Sequence, residues 1–164
     1  MHLKFFYILF LFLPLCEACE NSNNTNQLEA RIDNLQQKLD HSYKPGLGEF
    51  MSEIQVHHAK LWFAGKNENW KLADFEIHEI MESLDGIQQY ASAREESKKV
   101  VMLTPAIDSV NKAIEKKDTA LFRSSFVLLT NTCNNCHTAV NYEFNMVKIP
   151  DTPPLSNQVF KTFK

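Results

Sequence analysis

Five consecutive residues near the C-terminal end carry the strongest chemical pattern in this chain. The run Cys133-Asn134-Asn135-Cys136-His137 places two thiols three positions apart and an imidazole directly after the second. Residues three apart on a helix lie on one side, so each thiol can add to one vinyl group of the same porphyrin. The imidazole then projects under the iron as proximal ligand. This spacing is the attachment signature of haem c, and it predicts one covalent haem on Cys133 and Cys136 with His137 on its iron.

Three other interpretations of the motif stay open. A thioredoxin-like redox pair lies at a helix start after a strand, whereas these cysteines lie deep inside a predicted helix. A structural zinc site needs two further ligands at close spacing, and none follows. A disulfide between Cys133 and Cys136 suits an exported protein but gives no role to His137. Haem attachment gives all three side chains a role.

The opposite face of the iron must be empty or filled by another side chain. His58 shares a helical stripe with Ile54 and Leu61, which directs its imidazole inward and makes it the first candidate for sixth ligand. A core histidine that only makes hydrogen bonds is the alternative. Met51, on the same stripe, is the second candidate, and a thioether there raises the reduction potential relative to imidazole. No distal Arg/His pair stands out along this helix, so an enzyme such as a peroxidase is not expected.

Hydrophobic periodicity predicts an all-α fold. Apolar residues recur at helical spacing in four segments, three of which begin at capping residues, namely 49–66, 69–93 from Asn69, a segment from the cap Thr104 with Pro105 at its first helical position, and a segment from Asp118 to about 139. Each segment has an apolar face and a charged back, and short links join them. We therefore predict an up-down four-helix bundle with a short N-terminal heptad-like helix at 27–41 and an extended Pro-rich C-terminal tail that wraps it.

The first residues are typical of an export signal. Lys4 precedes an unbroken apolar run, Phe5 to Leu15, which is shorter than the roughly 20 residues that cross a bilayer, and Ala18 follows closely. Cleavage after Ala18 would leave Cys19 in front of a polar run, as in a bacterial lipoprotein, so Cys19 is the candidate lipidation site. Ordinary cleavage with a soluble product is the alternative.

These patterns divide the chain into three parts. We expect a signal peptide at 1–18, a polar tether with the short helix at 19–48, and a haem-binding bundle with its tail at 49–164. The product would be periplasmic, or anchored by lipid to a membrane and facing the periplasm. The formal net charge is −3, from 17 Lys and Arg against 20 Asp and Glu, so nucleic acid is not an expected partner.

A haem motif near the end of the last bundle helix resembles the class II c-type cytochromes, the cytochrome c-prime group. The resemblance covers residues 49–141 in architecture, and its specific motif is Cys133 to His137. It implies a haem between helices, His137 as fifth ligand, a distal face built by the first helix, and dimers formed through the first two helices. The family usually has Arg or Lys four residues after the ligand histidine, where this chain has Asn141. Three stretches, 57–66, 69–73 and 153–158, are also similar to exported bacterial haem proteins.

Two functions follow from a haem in such a bundle. The first is single-electron transfer to a redox partner protein, which suits an iron ligated by both His137 and His58, because a six-coordinate iron changes little on reduction. The alternative is a five-coordinate iron that binds NO or CO in an apolar pocket, for sensing or sequestration. A non-haem interaction lipoprotein, with the cysteines as a disulfide, is the third hypothesis.

Overall fold

The structure is a computed structural model that describes residues 22–162. Within that range the chain forms five α-helices and one 3₁₀ helix and no β-strand, which confirms the all-α fold expected from sequence. The helices are α1 (Ser22–Asp40), α2 (Leu47–Lys66), α3 (Trp70–Tyr90), α4 (Thr104–Lys116) and α5 (Thr119–Ala139), with the 3₁₀ helix at Ser97–Leu103. None of these helices is long and apolar enough to cross a membrane.

Two predicted capping residues do start helices. The Asp118 side chain accepts hydrogen bonds from the backbone N–H groups of Ala120 and Leu121, at 3.0 and 2.9 Å. The Asn69 side chain accepts one from Leu72 at 3.3 Å. Such caps each stabilise a helix by about 1 kcal/mol, so α3 and α5 begin where their sequences indicate.

The start of α4 differs from the prediction. Thr104 is the first helical residue, and the cap position belongs to Leu103, whose side chain makes no cap hydrogen bond. The reason is the preceding 3₁₀ helix, which the sequence reasoning missed. Its buried residues are Ser97, Val100 and Leu103, spaced by three, and this matches the three residues per turn of a 3₁₀ helix.

The described residues divide into two compact units, the first ending at Tyr43 and the second beginning at Lys44. In the second unit α2 packs on α3, α3 on α4, α4 on α5 and α5 on α2, an arrangement compatible with a helical bundle. Its most deeply buried apolar side chains come from all four helices, namely Leu61, Ile77, Ile80, Ile87, Val110, Phe122, Phe126 and Leu129. In the first unit, α1 carries the predicted heptad stripe Leu28, Ile32, Leu35 and Leu39, each at least half exposed.

A charged cluster is buried in the packing of α2 on α3. The side chain of Glu76 is 0% exposed, and its Oε1 lies 2.7 Å from Nζ of Lys60. Its Oε2 lies 2.7 Å from Nδ1 of His57, which donates the hydrogen bond because a carboxylate can only accept. Glu79 lies farther away, with an oxygen 3.9 Å from Nε2 of His57. A fully buried carboxylate is tolerated here because two cationic or polar partners from α2 surround it.

The segment after α5 contains no helix in the part that the structure describes. Ile149 packs against the core of the second unit. Phe160 is 6% exposed, and its ring centroid lies 5.7 Å from that of Phe63 on α2. The segment is thus held by apolar contacts at two points along its length.

Candidate functional site

One pocket in the second unit gathers the residues singled out from the sequence. Met51 and His58 from α2, and Cys133, Cys136 and His137 from α5, all line it. This convergence follows from the contact between α2 and α5 together with the inward stripe of each helix. Cys19, the candidate lipidation site, and the signal at 1–18 lie outside the described residues.

The pocket has the composition of a cofactor site. Its cavity has a volume of about 60 Å³ and is partly open to solvent. Its other lining residues are mainly aliphatic, with two amides, namely Ile54, Leu84, Leu103, Val147, Gln55 and Asn145. Aliphatic walls exclude water, and a few polar groups at fixed places orient what binds.

A second, more polar pocket adjoins the first. It shares Met51, Cys136 and His137 with the first pocket, has a volume of about 350 Å³, and adds Arg94 and Glu96 to the lining. Nη2 of Arg94 donates to Oε1 of Glu96 at 2.9 Å. This hydrogen bond and the guanidinium charge hold the pKa of Glu96 at about 2. The combined site is therefore apolar beside the thiols and charged toward its opening.

His137 is held in the tautomer that can bind a metal through Nε2. Its Nδ1 lies 2.5 Å from the backbone carbonyl oxygen of Asn145. Because a carbonyl only accepts, Nδ1 carries a proton, so in the neutral imidazole the lone pair lies on Nε2. Histidine ligands of metals usually donate their other ring nitrogen to a carbonyl or carboxylate in this way, which fixes the ring and raises its basicity.

The carbonyl that orients His137 is itself positioned by the motif. Asn134, between the two cysteines, donates from Nδ2 to the carbonyl of Val147 at 2.9 Å and accepts from the Val147 N–H at 2.8 Å. These two hydrogen bonds hold the chain two residues beyond Asn145. Sequence reasoning missed both asparagines, because their role depends on the chain folding back onto α5.

Both cysteine thiols are free and border the apolar pocket. Burial raises the pKa of Cys133 to about 12, and the neighbouring Cys136 adds to the shift. Desolvation also raises the pKa of Cys136, and the positive charge of Lys99 opposes it. Both side chains are therefore neutral thiols near pH 7, and no disulfide joins them.

His58 lies on the inner face of α2, as its stripe indicates. It is 4% exposed, and burial lowers its pKa to about 4, so the imidazole is neutral near pH 7. Its Nε2 lies 2.9 Å from Oγ1 of Thr130 on α5. The ring also packs on Phe126, with centroids 4.5 Å apart. The sequence indicated the inward direction of His58 but not its partner, although Thr130 lies one turn before Cys133 on the same side of α5.

The residues present fit a haem and do not form an ordinary metal site. Within residues 22–162, no group of three or more His, Cys, Asp or Glu side chains could hold a bare metal ion. A haem iron takes its equatorial ligands from the porphyrin and needs one or two more from the protein, which His137 and a distal residue can supply. Comparisons with protein-family models, curated proteins and solved structures find no match to this chain.

Proposed function

We propose that this protein is a monohaem c-type cytochrome, with one haem c attached to Cys133 and Cys136 and His137 as proximal iron ligand. One observation carries the proposal. The two thiols border a single apolar pocket, and His137 beside them presents the unprotonated Nε2 that iron requires. A disulfide or a redox thiol pair would give no reason for the His137 tautomer.

The attachment chemistry would require reduced thiols next to the porphyrin edge. Each Sγ–H adds across one vinyl group, with sulfur bonding to one vinyl carbon and hydrogen to the other. Two thioether bonds form, two C=C bonds become single bonds, and nothing leaves. The bound haem supplies an iron that gains or loses one electron. The chain's own part is to hold the imidazole through the Asn145 carbonyl and to exclude water with Ile54, Leu84 and Leu103.

The activity that we propose is single-electron transfer in the cell envelope, with a redox protein as partner. His58 is the first candidate for sixth ligand and Met51 the second, because both line the thiol pocket from α2. The proposed architecture is the up-down four-helix bundle of the cytochrome c-prime group, with the Pro-rich segment wrapped around it and pairing of two copies through α2 and α3. Catalysis is not part of this proposal.

Binding of NO or CO is the second candidate function. The supporting observation is the hydrogen bond from His58 to Thr130, which occupies Nε2, one of the two ring nitrogens that could bind iron. An iron left with one axial ligand, facing aliphatic side chains, would bind a small apolar gas. This function would require the same haem attachment as the first.

The proposed location is the periplasm, through a signal at 1–18. Cys19 would carry a lipid that anchors the protein to a membrane. Globomycin, which blocks lipoprotein signal cleavage, should then cause the precursor to accumulate, and Cys19→Ala should release the protein into the soluble periplasmic fraction. A protein that is soluble both with and without Cys19 would remove the lipid anchor and leave the haem proposal intact.

The test of haem attachment is expression of the full chain in cells with cytochrome c maturation machinery. We expect the mature protein to carry the mass of one haem after denaturation, together with a c-type pyridine haemochrome spectrum. Replacing both Cys133 and Cys136 with serine should abolish this covalent haem, whereas Asn135→Ala, at an exposed position in the motif, should retain it. A wild-type mass explained by polypeptide and lipid alone would refute the proposal.

The two functions separate on the spectrum of the reduced protein. A low-spin spectrum that CO leaves unchanged supports electron transfer, and a high-spin spectrum that shifts with CO supports gas binding. His58→Ala converts low spin to high spin if His58 is the sixth ligand. If His58→Ala has no effect and Met51→Leu does, the ligand is Met51.

A further inference from the structure

Thr130 is a buried hydroxyl inside the site with a definite hydrogen-bonding arrangement. It is 4% exposed and lies one helical turn before Cys133 on α5. Its Oγ1 donates to the backbone carbonyl of Phe126 at 2.9 Å. A hydroxyl has a single proton, so toward His58 the same oxygen can only accept.

This arrangement determines which nitrogen of His58 carries the proton. Nε2 lies 2.9 Å from an oxygen that only accepts, so Nε2 is the donor. His58 is neutral and has one ring proton, which leaves the lone pair on Nδ1. A protonated ring nitrogen cannot bind a metal, so Nε2 of His58 is unavailable to iron while the hydrogen bond to Thr130 lasts.

The opposite polarity would lead to the same result. If Thr130 turned its proton from Phe126 toward His58, Nε2 would accept that hydrogen bond and its lone pair would again be occupied. Breaking the hydrogen bond leaves a buried polar group without a partner unless iron replaces it. Thr130 and iron therefore compete for one nitrogen atom.

We propose that Thr130 is a latch that keeps Nε2 of His58 from the iron and so sets whether this nitrogen is the sixth ligand of the haem. This inference rests on the haem site proposed above and extends it. The latched state has one axial ligand, His137, and an open face for a small gas. The unlatched state has two axial imidazoles and suits electron transfer. Thr130 is thus a positioning residue that selects between the two functions.

The matched variants are Thr130→Val, which keeps the branched shape but removes the hydroxyl, and Thr130→Ser, which keeps the hydroxyl. In the haem-loaded protein we expect Thr130→Val to raise the ratio of low-spin to high-spin iron roughly fivefold, the effect of losing one ordinary hydrogen bond. The rate of CO binding to the reduced protein should fall by a similar factor. Thr130→Ser should behave as wild type, and His58→Ala should make both measurements independent of residue 130.

A readout of hydrogen bonding complements the spectra. In the diamagnetic CO complex of the reduced protein, ¹⁵N NMR should show His58 protonated on Nε2 in wild type. A change of tautomer is expected in Thr130→Val but not in Thr130→Ser. A folding defect caused by Thr130→Val would not produce this difference in tautomer alone. Such a defect would also lower the helicity of the double variant that carries His58→Ala.

The outcomes for the latch and for the haem site are distinct. A wild-type protein without covalent haem overturns both proposals. A haem-loaded protein whose spin state and CO rate are the same in Thr130→Val and wild type overturns the latch alone. The latch is equally overturned if wild type is fully low spin through His58, or if the effect of Thr130→Val persists in the His58→Ala background.

Discussion

Replacing Glu76 with alanine should lower the free energy of unfolding by about 3 kcal/mol. The side chain of Glu76 is 0% exposed, and it contacts Lys60 and His57, which are 12% and 18% exposed. Removing the carboxylate leaves an ammonium group and an imidazole N–H poorly hydrated and without their partner. We therefore expect a large loss from a position that does not line the thiol pocket.

The magnitude follows from the burial of the three groups. Breaking a fully buried ion pair by removing one partner costs about 3–5 kcal/mol. Lys60 and His57 each retain a little contact with water, which places the expected value at the lower end. Glu79→Ala is the matched control, because its carboxylate is 32% exposed and lies 3.9 Å from His57. A pair of that kind contributes less than about 1 kcal/mol.

Urea unfolding followed by far-ultraviolet circular dichroism measures the difference. With an m-value of about 1.5 kcal/mol/M, Glu76→Ala should lower the midpoint by about 2 M, and Glu79→Ala by less than about 0.7 M. Glu76→Gln keeps the volume and loses the charge, so it separates the ionic contribution from the cavity. Equal midpoints for Glu76→Ala and Glu79→Ala would refute the reasoning, since burial would then have no effect on the cost.

Two further predictions test the packing of the second unit and its charge pairs. Gly65→Ala should destabilise the protein by about 1–3 kcal/mol in thermal unfolding, because a Cβ there would lie 2.2 Å from the fully buried ring of Phe122. The control is Gly48→Ala, which should be neutral or slightly stabilising because nothing lies within 4 Å of its Cβ position. Similar melting temperatures for the two variants would contradict this packing. The carboxyl of Glu96 should titrate with a pKa of about 2 in ¹³C NMR, so its stabilising effect is complete above its ordinary pKa of 4.5 and is lost as the pH falls toward 2. Arg94→Met should move that midpoint upward, and an unmoved midpoint would show that the guanidinium is not the cause.

Periodicity predicted the inner faces of the helices because those faces repeat along continuous segments. It placed Met51 and His58 on one side of α2, where both line the thiol pocket. The Cys-x-x-Cys-His motif was visible because its three residues lie within five consecutive positions. Asn69 and Asp118 were found because a cap acts only on the next few residues.

The features that sequence missed all depend on contacts between distant segments. The Thr130 partner of His58 belongs to another helix. The carbonyl that orients His137 belongs to a segment that returns to α5 after a turn. Glu76 has the charge of a surface residue, and only the pairing of α2 with α3 shows why it is buried. The 3₁₀ helix was not predicted because its seven residues repeat every three positions, and the search was for the α-helical repeat of 3.6 residues per turn.

The two hydrogen bonds between Asn134 and Val147 have a consequence for maturation of the proposed cytochrome. The turns of α5 that would bind the porphyrin also hold the segment that follows α5, through the hydrogen bonds of Asn134 to Val147. Val147 itself forms part of the pocket wall. In the proposed cytochrome, attachment enzymes would have to reach both sulfur atoms before the hydrogen bonds between Asn134 and Val147 form. These hydrogen bonds would then form after the thioethers, and the orientation of the iron-binding imidazole would be the last element of the site to be set.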